Sequence, residues 1–168
     1  MRIRPVDIDE LPLLQDIERA AGQCFRGVGM AEIAEDEPLL VSELARCRSN
    51  GLAWVAVDAA DVPVAYLIAE HVDGNLHVEQ VSVHPDQARR AIGRSLLNHL
   101  ADHAAASDVP ALTLTTFAEV AWNGPYYARC GFRTLDDSGI GPGLREIRRR
   151  ETAHGLDRWP RICMRRDL

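Results

Sequence analysis

The sequence predicts a mixed α/β fold around a mostly antiparallel, twisted sheet of six to seven strands. Three observations point there. Apolar residues recur at helical spacing near the N-terminus and again after Ala91. β-Branched apolar runs separated by turn residues lie between and beyond them. The long mid-chain helical pattern sits between two such runs, the arrangement that joins parallel strands.

Taken in order, Ile3 opens a short strand and Asp7 caps a helix to about Ala21, with Ile8, Leu11, Leu14 and Ile17 at helical spacing. Gly27–Glu37 reads as an acidic loop. A second helix is expected from Pro38, a favourable first helical residue, to Arg48, where Asn50-Gly51 stops it. The period then changes. Leu52–Asp58 and Val62–Val72 read as strands, Asp73-Gly74-Asn75 as a hairpin turn and Leu76–Val83 as the next strand. The following helix carries Ile92, Leu96, Leu97, Leu100 and Ala104 on one face, and Asp108-Val109-Pro110 breaks it. Ala111–Thr116 has the composition of a central strand. A short helix at Pro125–Arg129, a loop at Gly139–Gly143, a helix at Leu144–His154 and a strand at Ile162–Arg166 complete the chain.

The 168 residues suffice for one domain with a full core, and 46% hydrophobic with 26% charged residues is ordinary for a soluble globular protein. A net charge of −6 argues against nucleic acid as the main partner and is compatible with a cationic amine. No segment has the length of a membrane span, and the first ten residues lack the apolar stretch of a signal peptide. Cys24, Cys47, Cys130 and Cys163 lie far apart and read as reduced thiols of a cytoplasmic protein, with no metal site.

The most informative stretch is Val81–Leu97: a buried strand, a short basic turn, then an amphipathic helix. Such a turn offers free N–H groups and a positive helix end to an anion, and Arg89 and Arg90 add charge suited to phosphates. Within the preceding strand the apolar alternation slips by one between Val78 and Val81. A β-bulge near Glu79–Gln80 produces such a slip; burial on both faces is the other explanation.

The run Ala88-Arg89-Arg90-Ala91-Ile92-Gly93 resembles the Gln/Arg-x-x-Gly-x-Gly/Ala cofactor motif of the GNAT N-acetyltransferase superfamily, with Ala88 and Ala91 at its first and middle-glycine positions. Asn123-Gly124-Pro125-Tyr126-Tyr127-Ala128-Arg129-Cys130-Gly131-Phe132 resembles the family's Asn…Tyr-x-x-x-Gly-Phe segment. The resemblance implies a sheet with helices on both faces, split between the strands at 76–83 and 111–116, in a single domain. It implies acetyl-coenzyme A as the donor. Val81, Ser82 and Val83 would receive the pantetheine arm. Ala88, Arg89, Arg90, Ala91, Ile92, Gly93, Arg94 and Ser95 would cradle the diphosphate, and Asn123 would contact the cofactor arm. Tyr127 falls on the tyrosine near the leaving sulfur, while Glu79 and His77 lie on the strand that carries the base. A homodimer is a common assembly in the family.

The resulting expectation is direct acetyl transfer to a primary amine of a small molecule, with Tyr127 as acid and Glu79, with or without His77, as base. Two rivals stand beside it: a non-catalytic acyl-coenzyme A-binding module, and an acetyltransferase acting on a protein N-terminus or lysine. Elsewhere the plainer reading is preferred. His99 and His103 belong to a solvated helix face, Cys130 to packing, and Arg145–Glu151 to an exposed face.

Overall fold

The computed structural model describes residues 1–168, and the chain divides into two compact units: 1–70 with 79–100, and 71–78 with 101–168. The sheet order is β1-β2-β3-β4-β5-β7-β6. Its strands are β1 (Arg2–Pro5), β2 (Ala53–Val57), β3 (Pro63–Val72), β4 (Asn75–Val83), β5 (Ala111–Phe117), β6 (Arg133–Thr134) and β7 (Arg161–Asp167). The helices are α1 (Leu11–Gly22), α2 (Ala31–Ala34), α3 (Val41–Ser49), α4 (Ile92–Ala106), α5 (Gly124–Arg129) and α6 (Pro142–Ala153). No helix is long and apolar enough to cross a membrane.

In the first unit, β1 pairs antiparallel with β2 and β2 with β3. The amphipathic face of α1 supplies Leu11, Leu14 and Ile17 to a core shared with Leu44, Cys47, Val55, Val57, Tyr66 and Ile68. Helix α1 is led in by a 3₁₀ turn, where the Glu10 carboxylate accepts the Asp7 N–H at 2.9 Å. Two expectations need correction here. The second helix starts at Val41 rather than Pro38, because Glu43 accepts the Leu40 N–H at 2.9 Å and fixes the cap three residues later. The stretch expected to be loop holds the single turn α2, anchored by buried Ala34. Gly51, at φ 73°, ends α3 as expected, with the Leu52 N–H returning to the Cys47 carbonyl.

The β3–β4 hairpin turns on two residues, Asp73 (φ 53°) and Gly74 (φ 79°). Both are left-handed, as the tightest hairpin turns require. In the second unit β5 pairs antiparallel with β7 along its whole length, and β7 carries the short edge strand β6 on its other side. Its core gathers Leu135, Leu144 and Cys163 with Val72, Ile140 and Ile147. The Asp73 carboxylate accepts the N–H groups of Gly143 and Leu144 at 2.8 and 3.0 Å, so the hairpin turn caps α6. The parallel ladder between β4 and β5 consists of Leu76–Leu112 and His77–Thr113. Both strands continue past that ladder, to Val83 and Phe117.

Candidate functional site

The turn from β4 into α4 is shaped as an anion cradle. Arg89 and Ala91 hold φ of 65° and 57°, left-handed values on either side of Arg90. Alternating backbone handedness curls successive N–H groups toward one side, the concavity called a nest. Ala88 closes the preceding turn by donating to Pro85 O at 3.1 Å, and Ser95 donates to Ala91 O at 3.0 Å. The chain passes from the Ala88–Arg89 turn through Arg90 and Ala91 into α4, whose leading N–H groups have no carbonyl within the helix to meet. They stand at the positive end of the fifteen-residue helix α4. Buried Ile92 and Gly93 root the turn, while Ala88, Arg89, Arg90, Ala91, Arg94 and Ser95 are exposed. Small side chains at 88 and 91 leave the backbone approachable. These residues fit a diphosphate.

On β4 the residues expected to serve chemistry fall into different environments. Asn75–Val78 are buried without alternation, as in a strand covered on both faces. His77 is 2% exposed, and its Nδ1 lies 2.9 Å from Thr113 Oγ1, at the last rung of the parallel ladder. Glu79, Gln80 and Val81 are each half-buried. The Cys47 thiol is pushed up to about 11, by burial first and then by the Glu79 carboxylate. Ser82 turns its hydroxyl inward, where it accepts from Gln80 Nε2 at 2.8 Å, leaving its backbone as the part able to meet a ligand.

Helix α5 shows why the tyrosine segment has its spacing. Its end is a Schellman motif: Phe132 N–H donates to Tyr127 O at 3.1 Å and Gly131 N–H to Ala128 O at 3.2 Å. Gly131 sits at φ 93°. The motif brings its last residue against the third from the helix end, and the Phe132 and Tyr127 rings meet edge-on at 5.9 Å. Tyr-x-x-x-Gly-Phe is thus a helix stop that fixes the tyrosine's ring. Tyr127 is half-buried overall, yet burial at its hydroxyl pushes the phenol above its ordinary range, with Tyr126 and Cys130 adding to the rise. It keeps its proton at neutral pH. Asn123 joins α5 through its backbone, accepting the Tyr127 N–H at 2.9 Å.

Sequence reasoning overlooked Gly124. A Cβ there would lie 2.7 Å from the Ala118 carbonyl oxygen, so only glycine lets α5 start where it does. The Asn-Gly-Pro run could have signalled this. Two further readings change. His99 is half-buried and packs edge-on against Trp54 at 5.4 Å, so it does not belong to a solvated face. The helix at 142–153 is not wholly exposed either. Glu151 accepts from Thr115 at 2.7 Å and Arg161 at 2.6 Å, and Arg161 lies over the Phe117 ring at 4.5 Å.

The first unit thus carries a nest between a strand and a helix, and the second a glycine-stopped tyrosine helix. A model of the Acetyltransferase (GNAT) family matches residues 14–132, and the chain belongs to that family. Solved structures share the fold at low identity. The ribosomal-protein-S18-alanine N-acetyltransferase from Escherichia coli is 19% identical with a TM-score of 0.69, over 99% of this chain and 93% of that one. The PaiA N-acetyltransferase from Thermoplasma acidophilum, solved with coenzyme A, is 15% identical with a TM-score of 0.72, over 99% and 98%. N-acetylglutamate synthase from Neisseria gonorrhoeae, with coenzyme A and N-acetyl-glutamate, is 13% identical with a TM-score of 0.70; it matches 99% of this chain and 35% of that one.

Proposed function

We propose that the protein transfers the acetyl group of acetyl-coenzyme A directly to a primary amine of a small molecule, in the cytoplasm. The observation that carries this is the cradle: a left-handed pair at Arg89 and Ala91 set directly before the N-terminus of α4. The relatives solved with coenzyme A support the donor. The four free cysteines support a reducing compartment, and the net charge of −6 is compatible with a cationic acceptor.

Acetyl-coenzyme A supplies an activated thioester when bound. In this reading the amides of Arg89–Gly93 and the α4 N-terminus hold its diphosphate, with Arg89 and Arg90 closing over it. The backbone of Val81 and Val83 lines the pantetheine arm. An N–H at Gln80 or Val81 meets the negative charge that builds on the carbonyl oxygen. Glu79 takes the amine's proton, through water or directly. His77 is the weaker candidate for base, since it is 2% exposed with Nδ1 committed to Thr113. Tyr127, protonated at neutral pH, delivers the proton that the departing thiolate needs.

The test is thiol release from acetyl-coenzyme A across a panel of small primary amines, with peptides bearing free N-termini and lysines as comparison. Turnover on one small-amine class supports the reading. Turnover confined to peptides replaces it with protein acetylation. Tight coenzyme A binding without release from any acceptor replaces it with a binding module.

A further inference from the structure

A second concavity lies within the N-terminal unit and uses none of the residues assigned to the coenzyme. It measures about 280 Å³, at the lower edge of the range of roughly 300–1,000 Å³ usual for small-ligand sites. Leu13 and Ile17 of α1 and Pro63 and Val64 of β3 give it an apolar lining; Ile17 and Pro63 are buried. Asp16, His84, Asp86 and Gln87 supply its polar groups.

Two carboxylates set the character of that polar side. The Asp86 N–H donates to His84 Nδ1 at 3.2 Å, and the Asp86 carboxylate lies 3.7 Å from the same nitrogen. Asp16 shares one oxygen with Arg19 at 3.2 Å. The cavity therefore presents two carboxylates, one with an Arg partner, beside the His84 ring, Gln87 and an apolar wall.

The same residues lead into the cradle. Gln87 N–H closes on His84 O at 2.9 Å and Ala88 N–H on Pro85 O at 3.1 Å. Ala88 is the first residue of the cradle, so a ligand touching His84, Asp86 and Gln87 restrains the segment from which the left-handed pair departs.

We propose that this cavity binds a small organic cation with an apolar body, and that its occupancy tightens coenzyme binding through the 84–88 turn. The apolar body lies on Leu13, Ile17 and Val64, and the cationic head faces Asp16 and Asp86. The two ligands strengthen each other's binding by the same factor, as linkage requires.

The test uses the full chain and benzyltrimethylammonium, which has no N–H to acetylate, with benzyl alcohol as neutral control. Amide NMR shifts at Ile17, Val64 and Gln87 should saturate with a Kd on the order of 1 mM. Asp16→Asn and Asp86→Asn, both at exposed positions, should each weaken the cation by about fivefold. Calorimetry should show coenzyme A binding about threefold tighter at saturating cation, with the reciprocal gain for the cation. Four results overturn the proposal. They are shifts that do not saturate, equal binding of benzyl alcohol, displacement of the cation by coenzyme A, and coenzyme A affinity indifferent to the cation. None of these readouts depends on acetyl transfer, so the outcome is independent of the catalytic reading.

Discussion

Arg89 and Ala91 hold the same left-handed backbone on either side of Arg90, at φ 65° and 57°. A non-glycine residue there is strained by contact of its Cβ with the following carbonyl, by about 1 kcal/mol. Ala91 stands where the family motif has its middle glycine. Ala91→Gly should therefore raise stability by about 0.5 kcal/mol, after the entropy glycine gains in the unfolded chain is subtracted. Ala91→Val should lower coenzyme A affinity by about tenfold, since a β-branched side chain disfavours this conformation and flattens the nest. Urea unfolding and calorimetry read the two effects; equal coenzyme affinity in Ala91→Val would remove the nest from binding.

Tyr127 anchors a helix stop as well as offering a hydroxyl, and the two roles separate in one substitution. Tyr127→Phe keeps the ring against Phe132. Turnover should fall by about 100-fold while coenzyme A affinity stays within about twofold. Unchanged kcat in the folded variant would leave the tyrosine a packing role only.

Gly124 has no room for a side chain beside the Ala118 carbonyl. Gly124→Ala should displace the start of α5, costing about 1–3 kcal/mol in stability. Turnover should fall with it, because the displaced helix carries Tyr127. Chemical denaturation and steady-state kinetics on one preparation measure both.

Asp73 gives α6 its N-terminal cap from the β3–β4 turn, through bonds of 2.8 and 3.0 Å to Gly143 and Leu144. Asp73→Ala should cost about 1 kcal/mol and speed amide exchange in the first turn of α6. Asp73→Asn keeps an acceptor and tolerates the positive φ, so it should recover part of the loss. Exchange rates at Gly143 and Leu144 that match the wild type in Asp73→Ala would refute the cap.

Arg4 bonds the Glu10 carboxylate at 2.7 Å, and this hydrogen bond chiefly holds the carboxyl below its ordinary value of 4.5. A depressed carboxyl contributes stability above its unfolded value and loses it as pH falls through the folded one. Glu10→Gln should thus lower the melting temperature by about 1–3 °C at pH 7, given partial solvent screening. The difference should shrink as pH falls below the ordinary carboxyl value of 4.5 and vanish once the wild-type carboxyl is protonated too. A constant difference across pH would assign Glu10 a purely uncharged role.

Much of the fold is local in origin, which is why the sequence shows it. The hairpin at Asp73-Gly74, the stops at Gly51 and Gly131, and the apolar stripe of α4 each follow from a few neighbouring residues. The strand, turn and helix at 81–97 were legible for the same reason. Elements settled by distant partners were not. Edge strand β6 is two residues long and exists through its pairing with Arg165 and Met164 of β7. The face of α6 that carries Glu151 is drawn inward by Thr115 and Arg161, 36 and 10 residues away in sequence. Nothing in the local charge pattern shows this.

By itself the sequence determined the locally encoded elements, the family motifs and the residue types able to bind an anion or move a proton. Those depend on side-chain period, backbone handedness and capping, which act over a few residues. Only the tertiary structure decided which groups are committed elsewhere: His77 to Thr113, the Ser82 hydroxyl to Gln80, His99 to Trp54. It also decided that the phenol of Tyr127 ionises with difficulty and that Gly124 has no space to spare. Burial and close approach arise from chain segments far apart in sequence, and no local pattern encodes the distance between them.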